Sequence, residues 1–216
     1  PNVLLKHIVK LMDCDFYTSN QLADIFGGIT KNILTTNYND LLISLHAFNF
    51  PVSAKYYMEI DEKYHSLFRA QTDGKKTLWK IHGDTVRPSS ILLGYTQYAK
   101  YMGQIKDYLY KGIKYKNIDQ PLQSPLMGKK PNFNFDKPDN LYSWVDLFLR
   151  DQIHIVGLGL DFCEIILWWL ISEKMSLQAR FPSKIGGINY YSINLPNKIK
   201  PVPQQCVRSM LEDLGA

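Results

Sequence analysis

NILTTNYNDLL, residues 32–42, is the stretch on which the fold prediction rests. Its apolar, β-prone start predicts a strand over 32–35, and polar residues follow before a helical apolar pattern begins at Leu41. In open α/β sheets, ligands bind outside the carboxyl ends of the strands, so polar side chains at such a tip are candidates for substrate contact. The same residue types are also good turn and helix-capping residues, and the stretch alone leaves both interpretations open.

A second stretch, TLWKIHGD at residues 77–84, has the same organisation. Alternating apolar and polar residues predict a strand over 77–81, which His82, Gly83 and Asp84 follow directly. Of the five histidines, His82 is the one at a predicted strand end beside a glycine, whereas His154 lies inside an apolar run. Imidazole exchanges protons near neutral pH, which makes His82 a candidate for acid–base catalysis, although a single histidine is more often structural.

The third stretch is DQIHIVGLGL, residues 151–160, in which a β-branched strand runs into Gly157, Leu158 and Gly159. A helix is expected to follow over 162–175. A glycine turn between a strand and a helix N-terminus can bind a phosphate through backbone N–H groups, although Gly-x-Gly alone is a weak signal. The helix is apolar nearly all round at 165–170, which indicates a buried helix or, in part, a subunit interface, and we expect a homo-oligomer.

The rest of the chain continues the alternation of strands and helices. The pattern predicts further strands over 91–94 and 187–194, and helices over 3–12, 21–26, 40–47, 96–110, 141–150 and 204–214. Residues 50–74 have no clear period, and we expect a strand or a short helix there, together with surface loops. The order predicts an α/β fold with a mainly parallel sheet.

Composition limits the domain organisation and the partners. The 216 residues are 45% hydrophobic, so we expect a single domain over 1–216. Residues 111–140 carry four prolines and little periodicity, which predicts a mobile insertion or lid. The net charge is +5, but the Lys and Arg residues are scattered along the chain and form no basic block, so nucleic-acid binding is not indicated. A run long enough to cross a membrane and a secretory signal pattern are both lacking, and we expect a cytoplasmic protein.

The three cysteines do not suggest a metal site. Cys14, Cys163 and Cys206 stand far apart and form no Cys-x-x-Cys pair. This spacing argues against a zinc ribbon and against a disulfide framework, so we expect free thiols and no metal.

In this order, the segments ILTTNYNDLL, WKIHGD, ILLGYTQYAKY, SWVDLFLRDQIHIVGLGLDFCEIILWWL and INYYSIN resemble the sirtuin-like domain of bacterial NAD-consuming proteins, including effectors of antiphage defence. The resemblance covers most of residues 32–216. It implies a Rossmann-like sheet with helices on both faces, NAD as the substrate, and catalytic roles for Asn37 and His82. The implied NAD-binding residues are Thr35, Thr36, Asn37, Asp40, Gly157, Leu158, Gly159, Ser192 and Asn194.

The chain also departs from that family in three respects. Sirtuin deacylases carry a four-cysteine zinc module that three isolated cysteines cannot build, so lysine deacylation is disfavoured. The acidic role that follows the asparagine falls to either Asn39 or Asp40, and the sequence leaves this open. The expected glycine-rich turn after a first strand is not found, because Gly27 and Gly28 follow a helical pattern, and we expect the chain to be part of a longer protein.

The expected function is therefore a zinc-independent NAD glycohydrolase, which releases nicotinamide and an ADP-ribose product. Cleavage passes through an oxocarbenium-like state that needs positioning and electrostatic complementarity more than a strong nucleophile. Asn37 would hold a water or a ribose hydroxyl, and His82 would accept a proton. Two alternatives stay open: an ADP-ribosyltransferase or cyclase that uses NAD, and a module that binds NAD or ADP-ribose without turnover.

Overall fold

The computed structural model describes residues 31–38, 55–56, 62, 64–65, 67–116, 118–127, 143–156, 158–191 and 202–213. The helices predicted over 3–12, 21–26 and 40–47 lie outside these residues. The described strands are β1 (Asn32–Thr35), β2 (Lys55–Tyr56), β3 (Arg69–Thr72), β4 (Thr77–Lys80), β5 (Ile153–Val156) and β6 (Ile188–Tyr191). The described helices are α1 (Tyr95–Tyr110), α2 (Trp144–Arg150), α3 (Ile165–Arg180) and α4 (Val202–Asp213), and residues Pro88–Ser90 form a 3-10 turn.

The chain divides into two compact units. The first comprises residues 1–123 and 142–144, and the second comprises residues 124–141 and 145–216. Among the described helices, none combines the length and the apolar character that a membrane crossing requires.

The first unit contains a four-stranded mixed sheet in the order β1-β4-β3-β2. Strands β1 and β4 are parallel, with Thr35 opposite Lys80, whereas β3 is antiparallel to both β4 and β2. The β3–β4 hairpin turns at Asp73 and Gly74, where Gly74 has φ +89° and the Asp73 carboxylate accepts hydrogen bonds from the main-chain N–H groups of Lys75 and Lys76. An Asp-Gly pair between two strands is a strong hairpin signal that the sequence analysis left unused in residues 50–74.

Helix α1 covers part of the core of the first unit. It buries Tyr101, Ile105, Tyr108 and Leu109, which recur at helical spacing and therefore share one face. Phe68 packs edge-to-face on Tyr108, with ring centroids 5.3 Å apart. The predicted helix over 96–110 is confirmed to within one residue.

The second unit pairs β5 and β6 in parallel, with Ile153 opposite Ile188. Helix α3 buries the stripe Ile166, Leu167, Leu170, Ile171, Lys174 and Leu177. The Lys174 ammonium donates to the main-chain oxygens of Leu149 (3.2 Å) and Asp151 (2.6 Å), so it satisfies carbonyls where α2 ends. Burial lowers the pKa of Lys174 to about 8, and Asp151 opposes part of this shift.

Several predicted elements are confirmed, and three need correction. Strand β1 has the predicted bounds, β4 ends one residue early, and β5, β6 and α4 lie where strands and a helix were expected. The strand predicted over 91–94 is wrong, because these described residues lie outside any strand and close the loop after β4. Helix α3 begins at Ile165, since a turn precedes it in which Glu164 N–H donates to Asp161.

The third correction concerns the environment of α3. The apolar run at 165–170 indicated a buried helix or, in part, a subunit interface, and the burial is partial: Ile165 is 38% exposed and Trp168 and Trp169 are half-buried. A subunit interface on this side of α3 stays a prediction.

The described elements form an α/β chain with one small mixed sheet and one two-stranded parallel sheet. Two of the four pairings among the described strands are parallel and two are antiparallel.

The described part of the predicted lid, residues 111–116 and 118–127, includes paired backbone hydrogen bonds between Ile113 and Leu122 and a buried Leu126. The insertion or lid over 111–140 stays a prediction.

Candidate active site

The two polar tips predicted from the sequence lie at one edge of the first unit's sheet. Because β1 and β4 are parallel neighbours, their carboxyl ends point the same way. The pairing extends one step beyond the strands, since Ile81 N–H donates to the Thr35 carbonyl oxygen at 3.0 Å. The segment 35–38 and the segment 82–84 therefore leave the sheet side by side.

The first tip turns outward immediately after β1. Thr35 is buried, and its hydroxyl oxygen accepts a hydrogen bond from Asn37 N–H at 3.1 Å, a local bond typical of a turn. Thr36 is half-buried and Asn37 is exposed. Asn39 and Asp40 lie outside the described residues, so the question of which one takes the acidic role stays open.

The second tip is a tight turn that requires glycine. Gly83 has φ +97°, and a Cβ at this position would lie 2.3 Å from the main-chain oxygen of Ser90. Only glycine combines that backbone angle with so close an approach. The loop then returns to the strand end, where Leu92 N–H donates to the His82 carbonyl oxygen at 3.0 Å.

His82 itself is enclosed. It is 3% exposed, and its ring packs edge-to-face on Tyr98 with centroids 5.6 Å apart. Tyr98 lies in the first turn of α1, which begins directly after the loop. Helix α1 therefore contacts one side of the imidazole ring through Tyr98, a contact that was not predicted from the sequence.

Asp84, the last residue of the His-Gly-Asp segment, has structural partners. Its carboxylate pairs with Arg69 at 3.2 Å and accepts a hydrogen bond from Arg87 N–H at 2.8 Å. Its own N–H donates to the Ser90 hydroxyl at 3.0 Å. Since these contacts bind both ends of the turn at 84–90, Asp84 shapes the loop that follows His82.

A buried carboxylate, Glu62, organises the neighbouring part of the unit. Its oxygens accept hydrogen bonds from the main-chain N–H groups of Leu67 (3.2 Å) and Phe68 (3.4 Å), from Gln104 Nε2 (3.3 Å) and from the Tyr115 hydroxyl (3.1 Å). Burial, together with the Glu62 charge, raises the pKa of Tyr115 far above its usual value. No sequence pattern indicates this cluster, because Glu62 lies in a segment without periodicity.

His65 is the second histidine close to the loop. It is buried, and its Nδ1 lies 3.3 Å from the main-chain oxygen of Ser90. Burial lowers its pKa, and this effect exceeds the opposing effect of the Ser90 hydrogen bond. His65 therefore contacts the buried side of the loop at Ser90, and its lowered pKa favours the neutral imidazole.

Tyr38, between Asn37 and the undescribed residues 39–54, contacts the loop at two points. Its hydroxyl donates to the Leu92 carbonyl oxygen at 2.6 Å, and its own carbonyl oxygen accepts from Thr85 N–H at 3.3 Å. Neither contact of Tyr38 was predicted from the sequence. The sequence around a tyrosine at a strand end does not show whether its ring is exposed or its hydroxyl forms a hydrogen bond with a residue far along the chain. Here the partner lies 54 positions away.

The glycine turn lies in the second unit, at the carboxyl end of β5. Leu158 is half-buried and Gly159 is exposed, whereas Gly157, Ser192 and Asn194 lie outside the described residues. The Tyr190 hydroxyl donates to the Leu158 carbonyl oxygen at 3.0 Å, which fastens the turn to β6. Leu160, which is buried, has φ +46°, a left-handed conformation that is uncommon for residues other than glycine.

The described part of the chain contains no cluster of metal ligands. Within it, no group of three or more His, Cys, Asp and Glu side chains is placed to hold a metal ion. Cys163 is an exposed free thiol, as expected from the cysteine spacing. Cys14 and the side chain of Cys206 lie outside the description.

Comparison with known proteins gives one match. Residues 31–127 match the family model of the SIR2-like domain, and this segment contains both polar tips. Neither the curated proteins nor the solved structures contain a match to the chain. The family match supports a sirtuin-like domain in residues 31–127 and is consistent with an NAD-related activity.

Proposed function

We propose that the protein is an NAD glycohydrolase that cleaves the bond between nicotinamide and ribose and releases nicotinamide and ADP-ribose. The observation that carries this proposal is the placement of the Asn37 and His82 tips at the carboxyl ends of two paired parallel strands. Substrates of open α/β sheets bind at that end of the strands. Both tips also lie inside the segment similar to SIR2-like domains.

The proposed chemistry needs a placed water more than a strong nucleophile. As the bond from ribose C1 to the nicotinamide nitrogen breaks, positive charge develops on the sugar, and a water oxygen forms the new bond to C1. Asn37 has an exposed, uncharged amide that can hold this water or a ribose hydroxyl without repelling the sugar cation. Orientation of this kind can supply a large part of the rate enhancement.

His82 is proposed to take the proton that the attacking water, or a ribose hydroxyl, loses. Its enclosure between the loop after β4 and Tyr98 restricts the imidazole to a narrow range of orientations. An imidazole nitrogen held in a fixed orientation can act as a general base. Asp84 is assigned no chemical role, because Arg69 and the turn at 84–90 already engage its carboxylate.

The rest of the NAD-binding proposal follows the resemblance. Thr35, Thr36 and Asp40 are proposed to contact NAD beside Asn37. Gly157, Leu158, Gly159, Ser192 and Asn194 are proposed to contact its adenosine half, as part of a Rossmann-like sheet with helices on both faces. The position of Leu158 and Gly159 at the carboxyl end of β5 supports this second group. We further propose a zinc-independent, homo-oligomeric, cytoplasmic effector of antiphage defence.

Product analysis tests the proposed reaction. The protein is incubated with NAD, and nicotinamide and the adenosine-containing products are separated by chromatography. Equal amounts of nicotinamide and ADP-ribose are expected. A cyclic product, or ADP-ribose attached to an acceptor, would reassign the protein to the cyclases or transferases. NAD that binds but stays intact would identify a module without turnover and overturn the proposal.

A further inference from the structure

Tyr38 connects the two segments that carry the proposed catalytic residues. It follows Asn37 directly, and its hydroxyl donates to the Leu92 carbonyl oxygen at 2.6 Å, the distance of a strong O–H···O hydrogen bond. Its main-chain oxygen accepts from Thr85 N–H at 3.3 Å. One residue of the first tip thus holds the loop 82–92 near its beginning and at its end.

The connection continues to the imidazole residue itself. Leu92, whose carbonyl oxygen receives the Tyr38 hydroxyl, donates its own N–H to the His82 carbonyl oxygen at 3.0 Å. Leu92 is buried, so its main chain cannot readily exchange these bonds for water. Asn37 and His82 are therefore joined through one side-chain hydrogen bond and one main-chain hydrogen bond.

The remainder of the loop is internally braced, and beyond the sheet pairing that ends at Ile81 and Thr35, Tyr38 joins this loop to the first tip. Gly83 packs against the main chain of Ser90, and Asp84 and Ser90 bond across the turn. The first tip has its own local bond from Asn37 N–H to Thr35. Motion of one part relative to the other would change the position of the Asn37 amide relative to the imidazole.

We propose that Tyr38 is a positioning residue that holds Asn37 and His82 in register for NAD cleavage through the bond from its hydroxyl to Leu92. This inference rests on the proposed function. Tyr38 takes no part in proton transfer, because its hydroxyl proton is directed at the Leu92 carbonyl. The contribution to rate comes from orientation, and a displacement of about 1 Å at such a site can cost about a hundredfold in rate.

Substitution Tyr38→Phe removes the hydroxyl and keeps the ring. We expect kcat for nicotinamide release to fall by about tenfold or more, while KM for NAD changes by less than about threefold, since orientation is lost and ground-state binding is kept. The matched control is Tyr101→Phe, which removes a hydroxyl in the same unit that accepts a hydrogen bond from Trp144 Nε1 at 2.9 Å. Tyr101→Phe leaves the buried Trp144 N–H without its acceptor, so it should lower the free energy of unfolding at least as much as Tyr38→Phe does. Its kcat should stay unchanged.

Hydrogen exchange gives a second measurement that does not depend on activity. In Tyr38→Phe, the amides of Thr85 and Leu92 should exchange about fivefold faster, while the amide of Ile105 in the middle of α1 should change less. A variant with wild-type kcat and unchanged protection at Thr85 and Leu92 would overturn the inference. A kcat that falls equally in both variants would reduce Tyr38 to a stabilising residue. A wild-type protein that releases no nicotinamide overturns the proposed function and the positioning role, while the exchange data still decide whether Tyr38 holds the loop.

Discussion

Gly83→Ala should destabilise the first unit strongly, because the turn after β4 has no room for a Cβ. The added atom would lie 2.3 Å from Ser90 O, 2.5 Å from Ser90 C and 2.7 Å from Ile91 N. All three atoms belong to the main chain, so no side-chain rotation can relieve the overlap. The φ of +97° adds a backbone conformation that residues with side chains rarely adopt.

The magnitude can be separated into a backbone part and a packing part. A positive φ costs a non-glycine residue about 1 to 2 kcal/mol, offset by about 0.4 to 1 kcal/mol from the lower entropy of the unfolded chain. Overpacking adds about 1 to 3 kcal/mol, and contacts with main-chain atoms place this site at the upper end. The total is about 3 kcal/mol, a large part of the roughly 5 to 15 kcal/mol that stabilises a typical domain.

Gly74→Ala is the matched control. Gly74 has a similar φ of +89°, but a Cβ there meets no atom within 4 Å, so only the backbone part applies. The free energy of unfolding is measured by urea denaturation followed by circular dichroism. Its value for Gly74→Ala should lie within about 1 kcal/mol of the wild-type value, and its value for Gly83→Ala should lie about 2 kcal/mol below that of Gly74→Ala. Equal losses in the two variants, at unchanged m-values, would refute the claim that the Gly83 turn is sterically closed.

Three further results are expected. Burial lowers the pKa of Lys174 to about 8 in the folded state, from an ordinary value of 10.5. Between these two pH values the folded state binds fewer protons than the unfolded chain, so the free energy of unfolding of the wild type should rise with pH relative to that of Lys174→Met. A difference between the two proteins that does not change with pH would contradict the burial effect. Gly186→Ala places a Cβ 2.3 Å from Gln152 N and should cost about 1 to 3 kcal/mol in chemical denaturation, whereas Gly187→Ala, with its nearest neighbour at 3.5 Å, should cost less. Chelators should change neither the melting temperature nor NAD cleavage, and acetyl-lysine peptides should not be deacylated; one tightly bound zinc per chain would contradict the cysteine interpretation.

The elements that the sequence predicted well are those specified by local pattern. The run 32–35 and the alternation at 77–80 determine two strands, and the polar residues behind them are placed at one edge because the strands pair in parallel. The pairing partner could not be read from the sequence. It depends on contacts between residues 45 positions apart, such as Asn32 with Thr77.

The errors have a physical cause in non-local contacts. Ile91 and Leu92 are apolar because they are buried where the loop returns to His82, and an apolar run of this length does not distinguish such a loop from a short strand. The position of strand β3 within residues 50–74 was not predicted, because its first residue, Arg69, has a charged side chain that is buried by its ion pair with Asp84. A charged residue at this position interrupts the alternation of apolar and polar residues on which strand prediction relies.

The site residues divide in the same way. Asn37 and His82 were found because residue type and position at a strand end are local features. Tyr38 and Tyr98 were missed, since their roles arise from contacts that form only in the folded chain.

The most direct test of the central claim is the rate of nicotinamide release by Asn37→Ala and His82→Ala, each measured on folded protein. Both rates should fall at least about a hundredfold below the wild type, the usual scale for loss of a general acid or base. The matched controls, Asn189→Ala and His154→Ala, alter exposed residues of β6 and β5 and should stay within about twofold of the wild type. A folded Asn37→Ala or His82→Ala variant that releases nicotinamide at the wild-type rate would contradict the assignment of that residue to the reaction.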